Sequence, residues 1–263
     1  MVKIATYNAN SLRIRLDHFI PWLGEFEPDI VLIQETKVTD DLFPVDAFKQ
    51  AGYHAEFYGQ KSYNGVAILS KHKMEDVIKG LPNFSEDENA RVIAASINGV
   101  RYFSLYCPNG NPIGAPDDYS EKFTYKLDFM ARLYQFVKDV LIPSEQPFLL
   151  GGDFNICPLD IDCYDPAGFK NDALCQPQSR HFHQSLIHLG LADAWRTLNP
   201  APAVGYSYWD YQGGRFFKDD GLRIDHFLLS PALNDRLLDA GVAVTLRQQE
   251  RPSDHTPVWI TLK

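Results

Sequence analysis

The sequence predicts an α/β fold in which two mixed β-sheets pack face to face and helices flank them. Three observations lead there. Short apolar runs rich in β-branched residues recur along the chain, and amphipathic stretches of helical period alternate with them. Some neighbouring strands are joined by turns of two residues, which only an antiparallel pair can use. Others are separated by long helical segments, the connection that parallel strands need. A purely parallel, doubly wound sheet is therefore excluded.

Taken in order, residues 3–8 form the first strand candidate, and 12–25 reads as a helix ended by Pro28. Strands follow at 29–35 and 64–70, then at 91–97 and 100–106, the last two joined through Asn98-Gly99, a hairpin turn signal. The clearest helix is 120–141, where Phe123, Leu127, Met130, Leu133, Tyr134, Val137 and Leu141 recur at helical spacing. A strand at 147–152, a helix at 179–190 closed by Gly190, and strands at 222–229, 241–247 and 256–262 complete the pattern. Segments 107–119 and 156–178 are long, irregular and rich in Pro, Gly, Asp and Asn, as functional loops in compact domains are. With no linker, repeat or low-complexity tract, residues 1–263 read as a single domain.

Apolar residues make up 45% of the chain and charged residues 22%, a balance that supports a sizeable core and excludes a disordered chain. The formal charge of −9 counts mildly against a nucleic-acid binder, because phosphate neutralisation needs Lys and Arg. Carboxylates gathered around a divalent cation inflate the acidic count, however, and a local basic face suffices for binding. Cys107, Cys157, Cys163 and Cys175 show neither C-x-x-C pairing nor zinc spacing and read as reduced thiols. The chain opens directly on a strand-like run, and no apolar stretch approaches the roughly 20 residues that span a bilayer. A cytoplasmic protein without membrane contact is the expectation.

The candidate chemistry lies where apolar runs end in polar residues. Ile4-Ala5-Thr6-Tyr7 runs into Asn8, Ile30-Val31-Leu32-Ile33 into Gln34-Glu35, and Phe148-Leu149-Leu150 through two glycines into Asp153-Phe154-Asn155. A carboxylate beside a buried sheet is costly unless it is paired or binds metal. One such residue is commonly a strand cap; several in one chain point to a site. Asp153 and Asn155 face the same way in extended chain, so one can orient a water while the other donates to a phosphate oxygen. Asp225 falls in the middle of the predicted strand 222–229 and needs a cationic or hydrogen-bonding partner. Ser253-Asp254-His255 precedes the last strand and taken alone also fits a plain turn.

Together these segments resemble the exonuclease III family of the endonuclease/exonuclease/phosphatase superfamily. The resemblance rests on Tyr7-Asn8-Ala9-Asn10-Ser11-Leu12-Arg13, Gln34-Glu35-Thr36-Lys37, Tyr63-Asn64-Gly65-Val66-Ala67 and Tyr106-Cys107-Pro108-Asn109-Gly110. It continues through Gly152-Asp153-Phe154-Asn155, Leu222-Arg223-Ile224-Asp225 and Ser253-Asp254-His255-Thr256-Pro257. Gly-Asp-x-Asn alone is common; seven blocks in order over the whole chain are specific. Ser11 departs from a frequent glycine, Cys107 occupies a free position, and His226 stands where an apolar or aromatic residue is usual. None of these removes a catalytic group.

The resemblance implies a four-layered α/β sandwich and a Mg²⁺-dependent nuclease, with Mn²⁺ as a substitute. Glu35 would bind the metal, helped by Asn8 and Asn10, with Asp254 at or near it. Asp153 would activate the attacking water, Asn155 would steady the scissile phosphate, and His255 would stabilise charge there, oriented by Asp225. Tyr106 would contact the phosphate or the leaving oxygen. Tyr208, Trp209 and Leu222 resemble an apolar pocket for a flipped-out abasic sugar, although the two aromatics also fit a plain core strand. Arg91, Lys37, Lys122, Lys126, Arg215 and Lys218 are candidates for the phosphate track. The implied partner is double-stranded DNA with abasic sites or 3′ termini, met by a monomer. Two rivals share the scaffold: a phosphatase or phosphodiesterase acting on inositol phosphates or lipid headgroups, and an inactive RNA-binding relative. Arg91 with Tyr208 and Trp209 favours DNA over the first, and the complete set of catalytic groups disfavours the second.

Overall fold

Val2–Asn8 forms strand β1, and it turns apolar side chains to both faces because it lies inside a sheet that is covered on both sides. Ile4 points into the space between two sheets, while Ala5 and Tyr7 point outward under helices. The same alternation governs β2 (Ile30–Gln34), where Ile30 and Leu32 face inward and Val31 and Ile33 outward. In the computed structural model, which describes residues 1–115 and 117–263, this produces four layers: helix, sheet, sheet, helix.

Helix α1 (Leu12–Phe26) joins β1 to β2; α2 (Val45–Gln50), β3 (His54–Tyr58) and β4 (Val66–Ser70) follow. The chain then crosses to the second sheet through β5 (Glu75–Lys79), β6 (Val92–Ile97) and β7 (Val100–Tyr106). A small ribbon, β8 (Gly114–Ala115) with β9 (Asp118–Tyr119), leads to α3 (Glu121–Phe136), capped by the Ser120 hydroxyl and prolonged by a wider π turn over Val137–Leu141. Strand β10 (Phe148–Asp153) precedes α4 (Pro177–His188), β11 (Ala192–Asp193), α5 (Ala194–Leu198) and α6 (Arg215–Lys218). The chain closes with β12 (Asp225–Leu229), α7 (Pro231–Asn234), β13 (Leu237–Val242) and β14 (Val258–Leu262).

The first sheet has the order β13-β14-β1-β2-β4-β3 and the second β11-β12-β10-β7-β6-β5. Each contains one parallel pair, β1–β2 and β7–β10, bridged by α1 and α3 respectively; the other pairs are antiparallel. Polar bonds also cross the sandwich: Gln34 Nε2 donates to Ser104 Oγ (3.0 Å), whose hydroxyl donates to the Ile33 carbonyl (3.0 Å). Gly152 is required where β10 meets β7, since a Cβ there would stand 2.0 Å from the Leu105 carbonyl oxygen.

The expected helices and most expected strands are present, with four differences. β3 and β5 are edge strands whose mixed sequences, HAEFY and EDVIK, carry no buried-strand pattern. The strand expected at 241–247 lies at Leu237–Val242, and Val244–Gln248 is a short 3₁₀ turn. Regular pairing of the 222–229 segment begins only at Asp225, which is the first residue of β12 rather than its middle; Leu222 makes isolated bridges to Tyr208 and Cys163. All four cysteines are buried free thiols. Among the described residues no helix is long and apolar enough to cross a membrane.

Candidate active site

The topology gathers the polar strand ends at one edge of the sandwich. Asn8 ends β1, Glu35 follows β2, Tyr106 ends β7 and Asp153 ends β10. The antiparallel neighbours supply the rest from their starts: Asp225 opens β12 directly opposite Asp153, and Asp254-His255 lead into β14. Asn8 ties the two sheets together, its amide donating to Glu35 Oε1 at 2.8 Å and to Asp153 Oδ2 at 2.9 Å.

Asp153 is held on both oxygens, since the Asn155 main-chain N–H donates to Oδ1 at 2.8 Å. That bond requires the left-handed backbone of Asn155 (φ 51°), a strain typical of functional turns. Burial works against ionisation of Asp153, His255 favours it, and Asp225 and Glu35 oppose it; the carboxyl is pushed up to about 7. The imidazole of His255 donates from Nδ1 to Asp225 Oδ2 (2.8 Å) and places Nε2 3.7 Å from Asp153 Oδ2. Burial alone lowers the pKa of His255, but Asp225 and Asp153 outweigh it and raise it to about 10. Asp225 is further fixed by the Ser207 hydroxyl at 2.6 Å. The Tyr106 phenol lies against Glu35, and burial with the adjacent Glu35 and Asp153 keeps it protonated.

The four residues expected at a metal form one connected set with Lys37. Burial disfavours a charged Glu35, yet Lys37 at 2.9 Å and the Asn8 amide hold its carboxyl below the ordinary value. The same ammonium donates to Asn10 Oδ1 (2.6 Å), and Asn10 Nδ2 donates to Asp254 Oδ1 (2.8 Å). A cation thus already sits between Glu35 and Asn10, and the surrounding donors are carboxylate and amide oxygens, the chemistry that suits Mg²⁺ or Mn²⁺. Donor atoms of Glu35, Asp153 and His255 lie within 4.8 Å of one another. A second such group, His183, Asp193 and His226, is closed by the buried Arg223 guanidinium, 2.9 Å from Asp193 Oδ2 and 3.0 Å from His226 Nδ1. A guanidinium on those lone pairs leaves no place for a metal.

A cavity of about 430 Å³ opens beside these groups, with Glu35, Tyr106, Asp153, Asn155, Asp254 and His255 on its polar side. Its apolar side differs from expectation. Tyr208 and Leu222 are there, but Trp209 is not: it is 3% exposed, donates Nε1–H to Asp219 (3.2 Å) and meets Phe216 edge-on. Successive side chains in extended backbone point opposite ways, so with Tyr208 facing His255 at 5.0 Å, Trp209 must face away. The same alternation turns Leu222 and Ile224 into the cavity and Arg223 out of it. Ile224 was legible in the sequence by that argument. Tyr164, Phe169 and Leu174, also on the wall, come from the 156–178 loop and carry no periodic signal.

Arg91, a candidate for the phosphate track, lies off the cavity wall; its guanidinium is 4.8 Å from the Tyr106 ring centroid and donates to the Tyr106 carbonyl (3.2 Å). Two further expectations are revised. The Asn155 amide is engaged internally, donating to the Cys107 carbonyl (2.9 Å) and to Asp153, so its visible work is orienting the carboxylate. Lys126 cannot track phosphates, because it is fully buried.

The sequence model of the endonuclease/exonuclease/phosphatase family matches residues 5–255. The chain belongs to that family. Among its members, exodeoxyribonuclease III of Haemophilus influenzae is 35% identical over 269 residues, covering 100% of both chains. Two solved structures cover 100% of both chains as well: a Neisseria 3′ phosphatase bound to a product DNA hairpin (41% identity, TM-score 0.94) and an AP endonuclease from Archaeoglobus fulgidus (37%, 0.93).

Proposed function

We propose that this chain is a divalent-metal-dependent DNA repair nuclease of exonuclease III type. It hydrolyses phosphodiester bonds 5′ to abasic sites and removes nucleotides or blocking groups from 3′ ends of duplex DNA. Residues 1–263 act as one catalytic domain and as a monomer. The observation that carries the reading is the Asp225–His255–Asp153 chain set against Glu35 across the two sheets, beside a cavity that also presents the apolar Tyr208, Leu222 and Ile224.

Asp153, with a carboxyl at about 7, is matched to take a proton from a water near neutral pH. Asn8 and the Asn155 N–H fix the direction of that carboxylate. His255 stays protonated and presents Nε2–H to the phosphate, while Asp225 holds the ring. Glu35 and Asp254, with the amide oxygens of Asn8 and Asn10, are the donors for Mg²⁺, which Mn²⁺ replaces. When bound, the ion supplies neutralisation of charge on the phosphate. Tyr208, Leu222 and Ile224 offer apolar contact to a sugar without a base. Incubation of the purified chain with a labelled duplex carrying one abasic site, in Mg²⁺ and in EDTA, tests this directly. Cleavage on the 5′ side of the lesion in Mg²⁺ alone is expected; an intact duplex in Mg²⁺, or equal cutting in EDTA, overturns it.

A further inference from the structure

Lys126 lies on α3 with no exposed surface, and no carboxylate pairs with it among the described residues. Taking an ammonium out of water without a counter-ion lowers stability, and an apolar side chain of similar length would fill the same space at less cost. Its three N–H donors go to three main-chain carbonyls instead: Asn155 at 2.7 Å, Asn109 at 3.0 Å and Ala173 at 3.4 Å.

Those carbonyls belong to three separate segments that come together at the cavity. Asn155 follows the base Asp153 and orients it. Asn109 lies in the 107–119 loop, lines the cavity and donates its amide to Asn155 Oδ1 at 3.1 Å. Ala173 lies in the 156–178 loop between Asp172 and Leu174, both on the cavity wall. The two loops are also tied directly at their flanks: Asn111 donates to Asp172 and accepts from the Ala173 N–H, and Gln178 donates to the Tyr119 hydroxyl. The lysine stem is gripped as tightly as its head: a Cβ at Gly110 (φ 89°) would fall 2.6 Å from Lys126 Cδ.

We propose that Lys126 is a positioning residue for the hydrolysis, its buried ammonium locking both long loops to the turn after Asp153 so that base and pocket wall keep one geometry. The inference rests on the nuclease reading above. It differs from a plain packing role, because a packing residue supports folding without setting the turnover of the folded enzyme.

Lys126→Met keeps the stem and removes the ammonium. At saturating Mg²⁺ and abasic duplex, kcat per folded molecule should fall roughly 10–100-fold, the scale of a misplacement near 1 Å, with KM changing less. Amide hydrogen exchange in segments 107–111 and 171–175 should accelerate. Lys126→Ala with added propylammonium should recover about tenfold in kcat, saturably, whereas propan-1-ol should do nothing. A Lys126→Met enzyme with kcat within about threefold of the parent, or equal rescue by the alcohol, overturns the proposal. If Lys126→Ala does not fold, the Met variant decides alone. If the parent chain itself fails to cut abasic DNA, the nuclease reading falls. The exchange measurement still decides the clamp: faster exchange supports it and unchanged exchange overturns it.

Discussion

Asp225→Asn tests the charge chain at its deepest point. In the parent, Asp225 Oδ2 accepts from His255 Nδ1 at 2.8 Å and from Ser207, and the imidazolium survives to about pH 10. That is about 3.5 pH units above the ordinary value, equivalent to about 5 kcal/mol between the protonation states, supplied by Asp225 and the more distant Asp153 against the cost of burial. Losing the nearer carboxylate should lower the imidazolium pKa by roughly 1–3 units, the range for one adjacent opposite charge. The charged form of His255 is the proposed active one, so the alkaline limb of kcat should move down from near 10 by the same amount. Turnover at its maximum should also fall by roughly 10²–10⁴-fold as the ring loses its orienting partner. The assay is cleavage of an abasic duplex at saturating Mg²⁺ from pH 6 to about 10.5, normalised to folded protein. An unmoved alkaline limb with kcat within a few-fold of the parent would refute the reasoning, as would a second mutation at His255 whose loss simply adds to the first.

Glu35→Ala should abolish cleavage and weaken Mg²⁺ binding measured by calorimetry, while the protein stays folded; undiminished activity in chelator sinks the metal assignment. Tyr208→Ala should cost about 1–3 kcal/mol in kcat/KM on abasic duplex. Trp209→Ala should instead cost about 3–5 kcal/mol of stability and leave the folded fraction near normal, and the opposite pattern would return Trp209 to the pocket wall. His183 is neutral because burial, helped by Arg223 against Asp193, lowers its pKa to about 4. The unfolded chain therefore takes up a proton that the folded one refuses, so stability present above pH 6.5 declines toward pH 4, by about 3 kcal/mol from this residue. Denaturant unfolding of the metal-free protein should show that slope, and His183→Gln should reduce it by about one proton.

The two-sheet architecture was legible because central strands buried on both faces leave continuous β-branched runs, and turns such as Asn98-Gly99 fix antiparallel pairing. β3 and β5 were not, since an edge strand with one open side tolerates Glu, Asp and Lys and erases the pattern. The polar strand ends Asn8, Glu35, Asp153 and His255 stood out in the sequence, and the fold brings them together. The resemblance puts Trp209 on the pocket wall, with a core strand as the alternative, and gives Ile224 no role; alternation along the two extended segments decides both. Lys126 was beyond sequence reasoning: a helical lysine looks solvated until the loops that cover it are in place.

The two sheets repeat one pattern. Each runs antiparallel, antiparallel, parallel, antiparallel, antiparallel from edge to edge, with its parallel pair at the centre and one helix across that pair. The chain thus behaves as an internal dimer of half-sites, with Asn8 and Glu35 delivered by one half and Tyr106 and Asp153 by the other. The proposed roles divide along the same line, Glu35 and Asn8 among the proposed cation donors and Asp153 the proposed base. The Asn8–Asp153 and Gln34–Ser104 bonds are seams at which these two similar units are joined into one site.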